Sequence, residues 1–462
     1  MERSREEILS LINDIEQKYE LVDWQEYGIH VWPIIRIFIF NELTEKKVTG
    51  TRSKTISSNK FSIFFNGLKE LFLVRKKLKN AKSLFFASQA HRQSINGVNY
   101  NRFVDPLMDN LSKDDTEIQI LFETAKQNEY TYENYKGYRL FQLSPILDLL
   151  HLMSRIKNRI NKPAFDVGSR IGQMNELPIG LRKKLVRKMS RQLPLIPVYQ
   201  SFSGWLLRQY QGDKLYFVCY YGLFNMVIIS EARKLNMSTI DIQHGVISDK
   251  HIAYAFKKMP KNGYNSLPNE FWTWTNYEVD CINQWASAYP QHQATNTGNA
   301  WIQAIQKNKI NFGNLDEQIK YEEKPIILYT LSNRDDIFPD FLIEAIKKLS
   351  GEFSFWFRLH PRQIALKDQI GGSLKSLGIF DLVELNRATD LPLPLILKYT
   401  HLHITQFSTV VLEAAHFKVS SILIHTLGRT YFADNPLKDY FYFYDLKKGS
   451  FEELIKKLMK ND

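Results

Sequence analysis

Apolar residues in the first 80 positions of the chain recur at the spacing of α-helices. The pattern predicts helices over residues 5–19, 32–43 and 61–78. The third of these interleaves phenylalanine and leucine with a dense set of lysine and arginine side chains. Such a basic amphipathic helix either lies on an anionic membrane or packs its apolar face on the protein with the lysines outward, and the pattern leaves both open.

From residue 83 onward, short apolar runs typical of strands are separated by helical stretches. The first series has strands at 83–87, 117–121, 214–219 and 239–242 and helices at 146–160, 180–191 and 224–235. The second follows the polar stretch 306–324, with strands at 325–329, 353–359, 382–385, 402–404 and 421–424 and helices at 340–349, 364–377, 393–399, 410–417 and 451–459.

Alternation of this kind is typical of parallel sheets covered by helices on both faces. A chain of 462 residues also exceeds what one hydrophobic core usually serves. We therefore expect an α/β protein with a helical N-terminal extension at 1–80, a first α/β domain at 81–305 and a second at 306–462. Ligands of such sheets bind beyond the carboxyl ends of the strands, and two such domains place their site in the cleft between them.

Composition narrows the class of protein. Hydrophobic residues make up 44% and charged residues 24%, as in ordinary globular proteins, and the net charge is +12. The excess indicates an anionic partner, although a lysine-rich surface explains it equally well. Two cysteines point to a reducing cytoplasm. The first 20 residues lack the apolar core of a signal peptide, and no run reaches the ~18–20 apolar residues of a membrane span, so we expect a soluble or peripheral protein.

The first candidate motif, 241–246, directly follows the strand predicted at 239–242. Gly245 is expected to let the backbone turn tightly and leave His244 at the strand tip, where a side chain of near-neutral pKa accepts a proton from a hydroxyl. Asp241 joins His244 as a catalytic candidate, and Gln243 and Gly245 as candidates for the acceptor side. A structural histidine that bonds a loop carbonyl is the alternative.

The second motif, 357–362, gathers Arg358, His360 and Arg362 at a strand end. Pro361 suits the first turn of a following helix. A helix N-terminus with arginine and histidine donors fits a diphosphate, and the alternative is a basic turn without a ligand.

The third motif, 406–413, places Ser408 and Thr409 where a helix should start. Their hydroxyls either cap that helix or bind phosphate together with free backbone N–H groups. Glu413, one turn deeper, is a candidate acceptor for the hydroxyls of a ribose.

Three shorter segments complete the candidate site. The donor side receives Gly298 and Asn299 from a predicted strand-to-helix turn and Ser332 from the start of the second domain; the acceptor side receives Arg102 and Asp105. Each segment is equally compatible with an ordinary turn or loop.

Several familiar chemistries have no signature in the chain. The sequence contains no GxxxxGK[ST] phosphate loop, no HExxH zinc helix and no GxSxG elbow. Near the candidate site, it also lacks the Asp-x-Asp motif that holds a divalent metal in many glycosyltransferases. We therefore expect neither an essential metal nor a cofactor.

Taken together, the HG turn, the HP turn and the Ser/Thr turn followed by a glutamate resemble bacterial capsule and lipopolysaccharide transferases. The nearest groups are the polysialyltransferase and Kdo-transferase types and the CDP-glycerol glycerophosphotransferases. The resemblance covers about residues 83–430 and implies a GT-B fold, with two Rossmann-like domains and the active site between them. Gln243 departs from the glycerophosphotransferases, which often have an aromatic residue before HG.

The resemblance also implies roles. His244 would be the base that deprotonates the acceptor hydroxyl, and His360 with Arg362 would stabilise the donor phosphate. Ser408 and Thr409 would bind phosphate, and Glu413 the ribose. The chemistry implied is inverting transfer of a sugar from a nucleotide-sugar donor to a saccharide or lipid-linked acceptor in capsule or O-antigen synthesis. The enzyme would be cytoplasmic, with peripheral contact to the anionic inner membrane and no role for nucleic acid.

Three other interpretations stay open. A UDP-N-acetylglucosamine 2-epimerase-like enzyme would share the fold and the Thr-Gly-Asn turn at 297–299. A noncatalytic polysaccharide-assembly or nucleotide-binding subunit would keep its activity without His244. A nucleic-acid-binding protein would show steeply salt-dependent binding to nonspecific DNA. The sequence identifies neither the donor nucleotide nor the sugar, the acceptor or the linkage.

Overall fold

In the computed structural model of this chain, residues 4–44, 60–111, 118–124, 139–160, 167–332, 336–445 and 449–460 are described. The chain divides into two compact units: unit 1 holds Met1–Arg92 and Tyr100–Ala300, and unit 2 holds Gln93–Asn99 and Trp301–Asp462. Each unit is built around one parallel sheet.

The sheet of unit 1 has seven strands. The strands of this part of the chain are β1 (Gln25–Glu26), β2 (Ile29–His30), β3 (Ala81–Ser88), β4 (Arg92–Ile95), β5 (Val98–Asn101), β6 (Ile118–Thr124), β7 (Arg139–Gln142), β8 (Lys214–Val218), β9 (Ser238–Ile242), β10 (Glu270–Thr273) and β11 (Gln293–Asn296). Their order is β11-β10-β9-β8-β3-β6-β7, and β1-β2 and β4-β5 form separate small pairs. The chain thus starts in the interior of the sheet at β3, builds one side with β6 and β7, and then builds the other from β8 outward.

The helices of unit 1 supply most of its core. They are α1 (Arg5–Lys18), α2 (Trp32–Thr44), α3 (Lys60–Leu78), α4 (Asp105–Leu111), α5 (Leu143–Ile160), α6 (Val167–Gly172), α7 (Ile179–Gln192), α8 (Ile196–Gln209), α9 (Leu223–Lys234) and α10 (Asn276–Ala286). The extension at the N-terminus is part of this core, because Ile12 and Trp32 are fully buried in it. Arg36 of α2 is also buried and donates to the backbone carbonyl of Ala255, in the long loop after β9.

Unit 2 repeats the scheme with six strands. Helix α11 (Ala300–Gln306) leads into it. Its strands are β12 (Ile326–Thr330), β13 (Ser354–Arg358), β14 (Val383–Glu384), β15 (Thr400–Thr405), β16 (Ser420–Leu423) and β17 (Phe441–Phe443), and its further helices are α12 (Glu317–Lys320), α13 (Asp340–Leu349), α14 (Lys367–Ser376), α15 (Asn386–Asp390), α16 (Leu393–Tyr399), α17 (Val410–His416), α18 (Thr426–Phe432) and α19 (Phe451–Met459). The order is β14-β13-β12-β15-β16-β17, and all neighbours are parallel. Both sheets therefore have the doubly wound Rossmann order, with a reversal beside the first strand.

The α/β prediction with two Rossmann-like sheets is confirmed. The cleft between two domains stays a prediction, as do the boundaries at 80 and 305. None of the helices in the described ranges combines the length and hydrophobicity of a membrane-spanning segment. Of the predicted strand 117–121, residue 117 lies outside the described residues.

Candidate active site

The strand order defines one place in each sheet where a ligand is expected. The chain changes its direction of growth between β3 and β8 in unit 1 and between β12 and β15 in unit 2. Loops at the carboxyl ends of such neighbouring strands diverge to opposite faces and leave a crevice.

In unit 1, His244 follows β9, which is the second strand on the far side of the switch point. Its imidazole Nε2 lies 3.1 Å from the hydroxyl of Tyr221, which follows β8. The pKa of His244 is lowered to about 4: burial is the main cause, a hydrogen bond with the Ile242 backbone opposes it, and the positive charge of Arg102 contributes to the lowering. The ring is therefore neutral at pH 7 and carries one lone pair on nitrogen.

Two more histidines lie near His244. The ring of His91, which follows β3, has its centroid 6.1 Å from that of His244. His251 packs against Tyr221 with a centroid separation of 6.1 Å. Burial lowers the pKa of His91 to about 3 and that of His251 to about 4. Three neutral imidazoles thus gather at the carboxyl ends of β3 and β9, on both sides of the switch point.

Asp241 does not share this environment. It is buried, accepts a 3.0 Å hydrogen bond from the backbone N–H of Tyr220 and a 2.8 Å bond from the hydroxyl of Tyr254. Burial raises the pKa of Asp241 to about 7, and the two hydrogen bonds oppose the rise. Its carboxyl group therefore links the loop after β8 to the loop that follows the HG turn, and its catalytic role stays a prediction.

Gln243 ties the HG turn to the next strand. Its side chain is fully buried, donates to the carbonyl of Gly245 at 2.9 Å and accepts from the backbone N–H of Trp274 at 2.6 Å. Trp274 directly follows β10. The amide of Gln243 is thus a clamp inside the protein, and its part in acceptor binding stays a prediction.

The two glycines of the candidate site differ. Gly245 has no positive φ, and a Cβ atom built on it meets nothing within 4 Å, so the turn itself does not require glycine. Gly298 has a φ of 74°, a conformation that side chains disfavour, and its N–H donates to the carbonyl of Thr273. Asn299 beside it is buried.

The loop that carries Arg102 is held by a buried ion pair. Arg92 and Glu123 meet at 2.7 Å with side chains almost completely buried, and Asn101 donates to the same carboxylate at 2.9 Å. Asp105 accepts from the backbone N–H of Asn101 at 2.9 Å. Asp105 therefore shapes the loop, whereas Arg102 supplies positive charge to the histidines.

In unit 2, His360 follows β13 and caps a 3₁₀ turn that begins at Pro361. Its Nδ1 accepts from the backbone N–H of Arg362 at 3.1 Å, and the side chain of Gln363 accepts from the His360 N–H. Burial and the charge of Arg362 lower the pKa of His360. The neutral ring with its lone pair used at Nδ1 must carry its proton on Nε2, which is therefore a hydrogen-bond donor. The side chain of Arg362 is exposed.

Arg358 is engaged within the protein. Its Nη1 donates to the carbonyls of Ala388 and Leu391, both at 2.7 Å, at the carboxyl end of α15. These bonds hold α15 against the end of β13, and they use part of the donor capacity predicted for phosphate binding.

The switch point of unit 2 lies between Ser332, which follows β12, and Gln406 and Ser408, which follow β15. The Ser332 hydroxyl and the Gln406 Oε1 atom are buried and bond to no residue in the described ranges. Residues 333–335 of the predicted 332–336 motif lie outside those ranges. Buried polar atoms of this kind are rare in folded proteins and often mark a binding site.

The two hydroxyls of the Ser/Thr turn have different hydrogen-bonding roles. Ser408 accepts from the backbone N–H of Val410 at 3.3 Å, as a helix-capping residue does. Thr409 is exposed and makes no capping hydrogen bond at the start of α17. Glu413 is partly buried on α17. Nearby, a Cβ atom on Gly428 would approach the carbonyl of Gln406 to 2.9 Å, so this glycine allows α18 to pack against the turn.

The structure thus brings His244 and Arg102 together in unit 1, and places Ser332 and Ser408 at the switch point of unit 2. The sequence pattern did not indicate His91, His251 or Tyr221 as candidate residues, and it included Gln406 in the 406–413 motif without assigning it a role. His91 follows a predicted strand and carried the same signal as His244. His251 lies in a long loop after β9, for which the sequence pattern has no signal.

No protein-family model matches the chain, and no curated protein matches it. Solved structures are similar at low identity. A UDP-GlcNAc 2-epimerase from Neisseria meningitidis bound to UDP-GlcNAc has 14% identity over 82% of this chain and 91% of its own, with a TM-score of 0.49. The enzyme from Methanocaldococcus jannaschii has 13% identity over 82% and 92%, with a TM-score of 0.46. The wall teichoic acid polymerase TagF has 12% identity over 87% and 91%, with a TM-score of 0.45.

Proposed function

We propose that this protein is a glycosyltransferase of the GT-B type that moves a sugar from a nucleotide-sugar donor to a saccharide or lipid-linked acceptor. The observation that carries the proposal is the neutral imidazole of His244, held by Tyr221 at the carboxyl edge of the unit 1 sheet. A partly buried, uncharged histidine at the carboxyl edge of a parallel sheet is suited to accept a proton.

The environment of His244 supports its role as a base. A low pKa keeps the ring unprotonated at pH 7 but also makes it a weak base. Part of the lowering comes from Arg102. An anionic group bound by Arg102 would cancel that positive charge and raise the pKa of His244 towards the range in which general bases are effective. Arg102 would in this way couple substrate binding to the basicity of His244.

Unit 2 offers donors suited to the phosphates of a nucleotide. The Nε2–H of His360, the exposed guanidinium of Arg362 and the Ser332 hydroxyl follow β13 and β12. Thr409 adds a hydroxyl that does not cap its helix. Gln406 Oε1 is a buried acceptor suited to a hydroxyl or amino group of the nucleoside. We propose that Glu413, Gly298 and Asn299 also serve the donor side.

The proposed reaction is a single displacement that inverts the anomeric centre. The acceptor oxygen attacks the anomeric carbon and its proton passes to His244. The bond from the anomeric carbon to the phosphate oxygen breaks, and its electron pair stays on the leaving nucleotide. The donors at His360 and Arg362 stabilise this negative charge, so the proposal needs no metal. We further propose that the acceptor belongs to capsule or O-antigen synthesis at the inner face of the cytoplasmic membrane.

A thermal-shift panel of CMP, CDP, UDP and GDP and their sugar conjugates tests donor binding. We expect one nucleotide class to raise the melting temperature. His360→Asp keeps an acceptor for the Arg362 N–H but puts a carboxylate where phosphate should bind, so it should abolish that rise while the unliganded protein melts normally. A flat response of the wild type to all nucleotides would refute the proposal.

Turnover separates the transferase from its alternatives. With the donor identified, His244→Asn should retain nucleotide binding and lose roughly 10²–10⁴-fold in transfer rate. Conversion of the sugar nucleotide without any acceptor would instead identify an epimerase. Full biological activity of His244→Asn would identify a noncatalytic subunit.

A further inference from the structure

Helix α3 exposes an unusual number of large apolar side chains. The face formed by Phe61, Phe64, Phe65, Leu68 and Phe72, called here the aromatic face of α3, has side chains that are 42–71% exposed. Proteins seldom leave a contiguous apolar patch of this kind in water, and such patches mark interaction sites. Among residues 61–78 of the helix, only Gly67, Val74 and Leu78 are fully buried.

The same face of α3 continues into basic residues. At 100° per residue the five apolar side chains fall within an arc of about 100°, and Arg75, Lys76 and Lys79 follow near that arc over the next two turns. The ammonium group of Lys76 lies 4.4 Å from the ring centroid of Phe72. Glu70 is the only acidic residue of α3, and it lies on the inward side, where burial raises its pKa. The exposed side of α3 therefore begins with the aromatic face, continues into these basic residues and carries no acidic residue.

The packing of α3 fixes this orientation. A Cβ atom on Gly67 would lie 2.6 Å from Leu149 Cβ and 2.9 Å from the Pro145 carbonyl, so α3 and α5 approach closely through this glycine. Glu70 in turn bonds to the backbone at Gln142. Gly67 thus meets residues 145 and 149, whereas Glu70, further along α3, meets residue 142, just before α5 begins. The two helices are therefore antiparallel.

The antiparallel arrangement extends the apolar surface. The phenylalanine-rich half of α3 runs beside the part of α5 that carries Met153 and Ile156, which are 50% and 55% exposed. Arg155 and Lys157 are exposed on the same part of α5. Two neighbouring helices thus present apolar side chains with basic ones around them.

We propose that the aromatic face of α3 docks on the surface of an anionic phospholipid bilayer. A helix that lies in the interface buries its apolar side chains to the level of the acyl chains while lysine and arginine contact the headgroups. Charge complementarity selects this occupant, because Arg75, Lys76 and Lys79 would each gain from the negative potential of such a surface. The proposal does not depend on the glycosyltransferase proposal, since its readout is vesicle binding rather than nucleotide binding or turnover.

Vesicle flotation of the full-length protein tests the docking. The wild type should float with phosphatidylcholine vesicles that contain about one third phosphatidylglycerol, and should not float with phosphatidylcholine alone. Each basic residue contributes about fivefold in affinity, so the triple change Arg75→Gln, Lys76→Gln and Lys79→Gln should weaken binding roughly 100-fold. Phe65→Ser with Phe72→Ser should weaken it at least about tenfold through the lost apolar contact, an order of magnitude that follows from partial burial of two rings.

Matched controls lie on α7. Lys183→Gln, Arg187→Gln and Arg191→Gln remove the same charge from exposed positions of this helix, and Ile179→Ser removes an exposed apolar side chain. These changes should leave vesicle binding within about twofold. Because all substituted side chains are exposed, the melting temperatures should match that of the wild type.

Two results would overturn the proposal. The first is a wild type that fails to bind anionic vesicles, or binds them equally well without the aromatic face. The second is a dimer in light scattering that Phe65→Ser with Phe72→Ser converts to a monomer, which would show that a second copy of the chain covers this face instead.

Discussion

Gln243 offers a direct test of how the HG turn is held. Gln243→Leu keeps the approximate volume of this fully buried side chain but removes both of its hydrogen bonds, to the Gly245 carbonyl and from the Trp274 N–H. Each orphaned backbone group costs about 1–3 kcal/mol. Both backbone groups belong to partly buried residues that water reaches to some extent. We therefore expect a total destabilisation of about 2–4 kcal/mol.

Differential scanning fluorimetry and urea titration measure this loss. For a unit of this size, each kcal/mol shifts the melting temperature by about 2 °C, so Gln243→Leu should melt roughly 4–8 °C below the wild type. Gln243→Glu buries a carboxyl group that faces the Gly245 carbonyl oxygen and lies beside the Glu278 carboxyl, so it should melt no higher than Gln243→Leu. Gln17→Leu, on the exposed side of α1, is the matched control and should lie within about 0.5 kcal/mol of the wild type.

A second readout links the clamp to the chemistry. If Gln243 positions the HG turn, Gln243→Leu should also reduce transfer activity at temperatures where the protein is folded. A melting temperature within about 2 °C of the wild type, the shift expected for less than 1 kcal/mol, would contradict the assigned hydrogen bonds. A large drop in melting temperature with unchanged activity would show that the clamp stabilises unit 1 without positioning His244.

Three further results are expected. Arg92→Met should destabilise unit 1 by about 3–5 kcal/mol in urea titration because it leaves the charge of a buried carboxylate unpaired. Adding Glu123→Leu should restore part of the loss, because it removes that charge but also the acceptor for the Asn101 amide, and additive effects would contradict the pairing. Gly428→Ala should lower the melting temperature because its Cβ would meet backbone and side-chain atoms below 3 Å, while Gly245→Ala should leave it unchanged. His403 has a pKa lowered by burial from 6.5 to about 3, so the stability it contributes is present above pH 6.5 and is lost as the pH falls towards 3. Replacing it with Gln should reduce the loss of stability between pH 7 and pH 5 by about 2 kcal/mol, and an unchanged pH dependence would contradict the shift.

The sequence predicted the interior of each sheet better than its edges. The strands at 83–87, 214–219 and 239–242 are rich in apolar residues because both faces of a central parallel strand are buried. The prediction missed β11, whose residues are almost all exposed, and β7, β10 and β17, which have only three or four residues. A strand that is this short or this exposed is defined by pairing with its neighbours, and its own side chains carry little signal.

For the candidate site, position along the chain was informative and local chemistry was not. The rule that chemistry follows parallel strands located His244, His360 and Ser332. The same rule did not predict the buried hydrogen bonds of Asp241 to Tyr220 and Tyr254, because these bonds depend on the path of the chain after β9. The clamp made by Gln243 likewise depends on β10, a strand that the sequence pattern did not predict.

The two histidines of the HG and HP turns are held in opposite ways, and this separates their proposed jobs. His360 uses its Nδ1 lone pair to cap a turn, which leaves an N–H as the group available to a ligand. Asparagine has the same two functions, because its carbonyl caps well and its amide donates. His360→Asn should therefore keep both the fold and nucleotide binding, while His360→Asp keeps the fold alone. At His244, however, no amide can accept a proton, so His244→Asn should lose turnover. A loss of nucleotide binding in His360→Asn equal to that in His360→Asp would show that an N–H donor at this position is not what binds the donor.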